Sequence, residues 1–374
     1  MPFAWPAILM LHTHCSRILM SNETKSMHKI DFVLPWVDGE DVLWQTQKDH
    51  YAALDTNMSQ TMSRVDSNSK SRYRDWGLLR YWFRAIERFA PWVNNVFFVT
   101  CGQKPEWLDE SHPKLQLVNH SDYIPSPYLP TFNSNTIELN LHRINSLSEH
   151  FVLFNDDVFL LQPVKPEFFF RDGYPVLACD LGIPYKIGYN NISRVAVNNC
   201  GILRISKNVE QLVWKNWTKF FNIHQLGIRR ALKNLVSFVI NRIMLPGNFG
   251  HLAHPHLKST FSEIWAKQPV ILDRVSRHKF RHDDCINHYL ASAWNMTDGH
   301  FFPVLEKKRG SFKCITSDNL DSISQLIKCQ TYPLVCINDE DVNDDIFQRW
   351  STEIKHAFHE ILPEKSEFEK FDIR

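Results

Sequence analysis

Phe151 to Leu160 (FVLFNDDVFL) sets two adjacent carboxylates, Asp156 and Asp157, between two apolar runs, and no other stretch constrains the fold as much. Four apolar residues in a row read as a strand buried on both faces. A pair of like charges cannot follow that strand into the core without a compensating cation or donor array. The strand must end at a surface, and open α/β sheets place their ligands at the C-terminal ends of such strands. The economical arrangement is a divalent-cation site that holds a phosphorylated ligand. An ordinary Asn-Asp turn with solvated carboxylates is the alternative, and the rest of the chain has to decide between them.

Similar strands recur. Ile30 to Val37 is a buried strand closed by the turn Asp38-Gly39, Val96 to Thr100 a second running into Gly102, and Leu115 to Val118 a third. Asp41 is placed to cap a helix reaching about residue 54, and residues 55–72 are a polar surface loop. Trp76 to Phe89 repeats apolar residues at helical spacing until Pro91, and Ser134 to Leu147 reads as a helix feeding the strand at 151–155. This alternation predicts an α/β fold: a mostly parallel sheet with helices on both faces, nucleotide-sugar-transferase-like (GT-A-like), with a helical C-terminal elaboration. Helices are expected at 207–245, 259–267, 284–294 and 344–361. The expected organisation is a disordered or mis-started leader (1–27), a nucleotide-sugar-binding core (28–205), a basic amphipathic helical insertion (206–250) and a C-terminal part completing the active site (251–374).

Charge is balanced, 42 Lys+Arg against 41 Asp+Glu, which argues against nucleic acid as a partner. The eight cysteines at 15, 101, 179, 200, 285, 314, 329 and 336 contain no Cys-x-x-Cys and no spacing of a zinc or disulfide frame, as suits a reducing cytosol. No apolar run approaches the roughly 18 residues that a membrane span needs. A cytoplasmic placement is expected, with peripheral contact at the inner face of the membrane as an option. That option rests on His224 to Met244, where Arg229, Arg230, Lys233 and Arg242 accompany an apolar stripe. Such a helix either lies on an anionic surface or packs on its own core.

Four segments, taken in order, resemble one family. They are Ile30 to Gly39 (IDFVLPWVDG); Arg72 to Leu160 with RYRDWGLLRYWFRAIERF, PTFNS, ELNLHRI and FNDDVF; His254 to Asp284 with HPHLK and KFRHDD; and Val335 to Asp339 (VCIND). Together they are similar to the conserved blocks of the Stealth family of capsular-polysaccharide phosphotransferases. That family includes the catalytic part of the animal enzyme that places N-acetylglucosamine-1-phosphate on lysosomal glycoproteins.

The resemblance implies transfer of a sugar-1-phosphate from a nucleotide-diphosphate sugar to a hydroxyl of a saccharide or lipid-linked saccharide. A phosphodiester forms in a capsular or exopolysaccharide, and a nucleoside monophosphate leaves. Such chemistry asks for charge neutralisation, in-line positioning and a base. Asp156 and Asp157 would ligate Mg2+ or Mn2+, and Asn338 and Asp339 would add a ligand or hold one in place. A histidine beside Pro255, His254 or His256, is the candidate base, although His251 is not separable from them by sequence. Arg281 would stabilise the transferring phosphoryl group, with Glu138 and Arg143 approaching from the helix before the aspartates. Asp38, Gly39, Gly102, Arg72, Arg74 and Asp75 would bind the nucleotide sugar. A conventional metal-dependent glycosyltransferase, which releases a diphosphate, is the rival reading. A polysaccharide-binding protein is a further one, and it has no use for acidic strand ends beside Arg and His.

Overall fold

The computed structural model describes residues 28–54, 73–181, 191–241, 250–339 and 342–370, with the side chains of 191–193, 240–241 and 339 excepted. Its frame is a five-stranded sheet. Strands β1 (Ile30–Pro35), β2 (Val96–Thr100), β3 (Leu115–Asn119) and β4 (His150–Leu153) run parallel. Strand β8 (His254–Leu257) pairs with β4 in the opposite sense, giving the order β3-β2-β1-β4-β8.

Successive residues of β1, β2 and β4 point to opposite faces, and both faces are covered. Phe32, Leu34, Phe98 and Val152 enter one buried cluster with the helix Leu79–Phe89 and the C-terminal helix Asp344–Ile361. Val33, Phe97, Val99 and Phe151 enter a second with Phe261, Leu290 and Trp294. This two-sided burial is why the strands are continuous apolar runs rather than alternating ones. Asp31 is the exception, at the edge where the parallel strands begin. It is fully buried and accepts from Asn94 Nδ2 (2.7 Å), the Asn95 N–H (3.1 Å) and the Ser148 N–H (2.7 Å), so its charge is satisfied.

Two small sheets flank the frame. Strand β5 (Val158–Leu160) pairs antiparallel with β11 (Leu334–Asp339), which runs parallel to β10 (Gly310–Ile315). Strands β6 (Phe170–Arg171), β7 (Tyr174–Ala178) and β9 (Phe302–Val304) form the other. The start and the end of the described chain therefore share one core. A buried ion pair fastens them: Arg84 Nε and Nη2 donate to the two oxygens of Glu369 at 2.6 and 3.0 Å.

Several helices differ from the sequence expectation for visible reasons. The helix expected over 134–147 stops at Leu139, because the Asn140 side chain takes the Thr136 carbonyl (2.8 Å) and a 3-10 turn, Leu141–Arg143, follows. The helix expected at 284–294 is Tyr289–Asp298. Residues before it are held as a loop by Asn198 Nδ2, which donates to the carbonyls of Asp283 and Cys285. The basic helix is broken at Gly227 (φ +74°) into Ile223–Leu226 and Ile228–Asn241, and its Arg242 lies outside the described residues. Asp41 does cap its helix, Val42–Leu54, by accepting from the N–H groups of Leu43 and Trp44.

Candidate active site

Because β8 is antiparallel, its start lies beside the end of β4, with His254 opposite Leu153. Residues just before β8 and just after β4 thus meet at the edge where the parallel strands end. There Asn155, Asp156 and Asp157 form the turn between β4 and β5, and the Ile337 N–H donates to the Asp157 carbonyl (2.9 Å). That bond sets Asn338, which is exposed, and the backbone of Asp339 against the turn. The side chain of Asp339 is not among those described.

Asp157 is the hub. Its Oδ2 lies 3.3 Å from His251 Nε2 and accepts from the Cys336 thiol at 3.2 Å. Its Oδ1 is buried and has no hydrogen-bond partner among the described residues. Asn155 Nδ2 lies 3.1 Å from the same His251 nitrogen. Burial alone would depress the His251 imidazole, but the charge and hydrogen bond of Asp157, with Glu138 behind them, outweigh it and raise it above its ordinary value. His251 is 37% exposed, so a ligand can reach it. Burial drives the Cys336 thiol well above its usual range, and the Asp157 charge adds to this, so it acts as a donor and not as a thiolate.

Asp156 presents a carboxylate to the solvent, yet protein crowds it closely. Desolvation first, then the charges of Asp157 and Asp75, push it up to about 7. Glu138 is buried at the inner wall and is also raised to about 7 by desolvation, against the opposing pull of Arg281 and His251. The His288 backbone N–H and Ser134 hold Glu138, and its Oε2 has no hydrogen-bond partner among the described residues. Arg281 Nη2 donates to Ser134 Oγ at 2.8 Å. Asn133 brings Arg281 to this wall: it caps the helix Ser134–Leu139 and donates from Nδ2 to the Phe280 carbonyl (3.2 Å), while Phe132 stacks on Phe280. Tyr289 completes the wall, its phenol raised by burial and by the fields of Glu138, Cys336 and Asp157.

The structure therefore brings Asp156, Asp157, Asn338, Glu138, Arg281 and Asp75 to one edge. Asp75 also fixes its own turn by accepting from the Gly77 N–H (2.6 Å). The two histidines named from sequence lie deeper. His256 is fully buried, bonds His288 Nδ1 through Nε2 (3.0 Å), and is lowered to about 3 by burial. His254 lies among Gly250, His288 and Tyr289, and burial followed by the neighbouring His256 and Arg309 holds it well below its ordinary value. Both are neutral core residues, whereas His251 faces the aspartates.

Asp38 and Gly39 end β1 in a tight turn. Gln103 bridges the backbone of Asp38 and the carboxylate of Asp41, and the Gly39 Cα passes so near Tyr73 that a Cβ there would sit 2.0 Å from its carbonyl oxygen. Gly102, at φ +101°, turns the chain after β2 beside them. Arg74 reaches the Val342 carbonyl and covers Phe347, and Arg143 donates to Asn140 over the Trp265 ring. Arg72 lies outside the described residues. A second cluster, His278 and His282 around Asp284, stands behind Arg281, and Arg274 already occupies the other oxygen of Asp284.

The conserved region 2 of Stealth proteins (CR2) matches residues 72–176. Capsular polysaccharide phosphotransferase WcwK of Streptococcus pneumoniae is 41% identical over 347 residues, 92% of this chain and 100% of that protein. The chain belongs to the Stealth family. The exopolysaccharide phosphotransferase cps2G of Lactiplantibacillus plantarum is 32% identical over 93% of this chain and 98% of its own length. Among solved structures, the galactosyltransferase LgtC with donor and acceptor sugar analogues aligns with 86% of this chain and 95% of its own. At 8% identity and a TM-score of 0.34, that likeness carries no argument about the Stealth site.

Proposed function

We propose that this Stealth protein is a hexose-1-phosphate transferase of capsular or exopolysaccharide assembly. It takes a nucleotide-diphosphate sugar and moves the sugar with its proximal phosphate onto a saccharide or lipid-linked saccharide hydroxyl. The observation that carries this reading is the meeting of Asp157, His251, Glu138 and Arg281 at the carboxyl edge of the sheet, in a chain whose full-length relatives are named phosphotransferases.

The donor set suits a hard divalent cation such as Mg2+ or Mn2+. Asp156 and Asp157 offer adjacent carboxylates, Asp157 Oδ1 is buried without a hydrogen-bond partner among the described residues, Asn338 adds an amide, and the Cys336 thiol stays protonated. When bound there, the cation would neutralise the diphosphate and help the departing monophosphate to leave. The chain's own groups divide the remaining work. Asp157 Oδ2 accepts from the His251 Nε2–H and orients the ring, which leaves Nδ1 to accept the proton of the attacking hydroxyl. The hydroxyl oxygen bonds to the phosphorus that carries the sugar, and the bond from that phosphorus to the nucleotide's phosphate oxygen breaks. Arg281 faces the charge that gathers on the phosphoryl oxygens, and Glu138 sets a negative charge near both Arg281 and His251. The turn of Asp38 and Gly39, beside Gly102, lies where the donor's base or ribose would rest.

We read the reaction as cytoplasmic, where nucleotide sugars are made, and at the inner face of the membrane. Among the described residues no helix is long and apolar enough to cross a membrane. The test is a panel of nucleotide sugars incubated with Mg2+ and a saccharide acceptor, with the released nucleotide identified by mass. A monophosphate supports the transferase reading, and a diphosphate supports the conventional glycosyltransferase in its place.

A further inference from the structure

The helices over 191–241 carry a charge and surface pattern that catalysis does not use. This segment holds eight Lys and Arg (Arg194, Arg204, Lys207, Lys215, Lys219, Arg229, Arg230, Lys233) against one acidic residue, Glu210, in a chain whose net charge is only +1. Several of these cations are paired within the fold. Arg230 and Lys233 meet Asp180, Arg204 meets Glu210, and Lys207 meets Asp298. Lys215 and Arg229 are exposed.

Beside them lies an apolar stripe. On the helix Ile228–Asn241, the buried side is formed by Ala231 and Asn234, with Phe238 half-buried next to them. Ile228, Leu232, Leu235, Val236 and Val239 all point outward, Ile228 at 60% exposure and Val239 at 61%. At about 100° per residue, these five fall within an arc of about 100°, with Arg229 and Lys233 along one flank. The stripe continues onto the neighbouring helices. Trp214 packs one side of its ring on Phe238 (5.2 Å) and is 58% exposed, while Trp217 and Ile223 are similarly open. Monomeric proteins seldom leave contiguous apolar surface of this extent to water.

From this we infer that the outward face of Ile228–Asn241, with Trp214 and Trp217, is the seat of this enzyme on an anionic phospholipid surface. Charge complementarity selects that occupant. Basic side chains flank an apolar stripe, and exposed tryptophans suit the level of the headgroups. The inference rests on the reading of a transferase at the inner face and names the surface that does it. The same segment bonds through Asn198 to the loop carrying Asp283 and Cys285, directly after Arg281. Docking would therefore fix the active site at a set height above a lipid-linked acceptor.

The experiment is co-sedimentation of the full chain with phosphatidylcholine vesicles, with and without about one-third phosphatidylglycerol, together with its mass in solution by light scattering. The parent should bind the anionic vesicles, less at high salt, and pure phosphatidylcholine at least tenfold more weakly. The Leu232→Ser/Val239→Ser pair, and separately Lys215→Glu/Arg229→Glu, should each weaken that binding about tenfold or more. Both variants should transfer sugar-phosphate to a soluble acceptor, with release of nucleotide, at the parent rate, since none of these residues touches the site. Equal binding by parent and variants, or none by the parent, overturns the inference, as does a parent dimer that the Leu232→Ser/Val239→Ser pair dissociates. Vesicle binding without any turnover would instead refute the transferase reading and leave this surface standing.

Discussion

Replacing Glu138 with Gln should make the metal-free protein more stable while stopping turnover. Glu138 is 7% exposed, and desolvation raises it from 4.5 to about 7 despite Arg281 and His251. The sign follows from proton linkage. Between pH 4.5 and about 7 the unfolded chain has lost this proton while the native state still holds it, so the native state loses stability as pH rises through that window. Above it the loss is complete. A shift of this size corresponds to roughly 3 kcal/mol at pH 8 and less than about 1 kcal/mol at pH 5. Gln cannot ionise and keeps a carbonyl for the His288 N–H, so it should recover most of that difference. Urea unfolding of parent and Glu138→Gln in EDTA, at pH 5 and pH 8, reads it directly. A variant less stable than the parent at pH 8, or a difference that does not grow between the two pH values, refutes the reasoning. The use that the proposed mechanism has for an ionised Glu138 is the negative charge it sets near Arg281 and His251.

Other outcomes follow from the same geometry. His251→Asn should lower kcat about 100-fold or more, whereas His256→Asn should lower stability through its lost bond to His288 and leave the rate per folded molecule nearly unchanged. Asp157→Ala and Arg281→Ala should each cost about 100-fold or more in turnover with circular dichroism unchanged. Mn2+ should raise the melting temperature more at pH 8 than at pH 6, because protons compete for the Asp156 carboxyl, pushed up to about 7 by desolvation and by the charges of Asp157 and Asp75; equal shifts would remove Asp156 from the cation site. Glu369→Gln should destabilise by about 3 kcal/mol or more by leaving Arg84 buried and uncompensated. Arg84 holds Glu369 below its ordinary range against the opposing effect of burial, so that contribution is present at neutral pH and fades as pH falls through the carboxylate range.

The parts of this fold that were legible in the sequence are those where one local signal settles the structure. Val96 to Thr100 is a strand because an apolar run buried on both faces has no other use, and Asp41 announces a helix start. The twin aspartates at the end of β4 were legible for the same reason. The missed features depend on side chains that arrive from far along the chain. Helix 134–139 ends early because Asn140 turns back on Thr136, and the segment before Tyr289 stays unwound because Asn198 holds its carbonyls. The choice among three histidines turned on β8 running antiparallel to β4, which no local pattern announces. One clue was present: His254 and His256 are two residues apart, so in a strand they share one face, and a buried strand makes both core residues. His251, just before the strand, falls at the edge where β4 ends. Cys336 carried no sequence signal, since it meets Asp157 only through the pairing of β11 with β5.

The central claim is that phosphorus moves with the sugar. A nucleotide sugar carrying 32P in the phosphate next to the sugar, supplied with Mg2+ and a saccharide acceptor, follows that atom. The account predicts that the label enters the acceptor product as a phosphodiester while an unlabelled nucleoside monophosphate is released. Label retained in a released nucleoside diphosphate, with a phosphate-free glycosidic product, would contradict it.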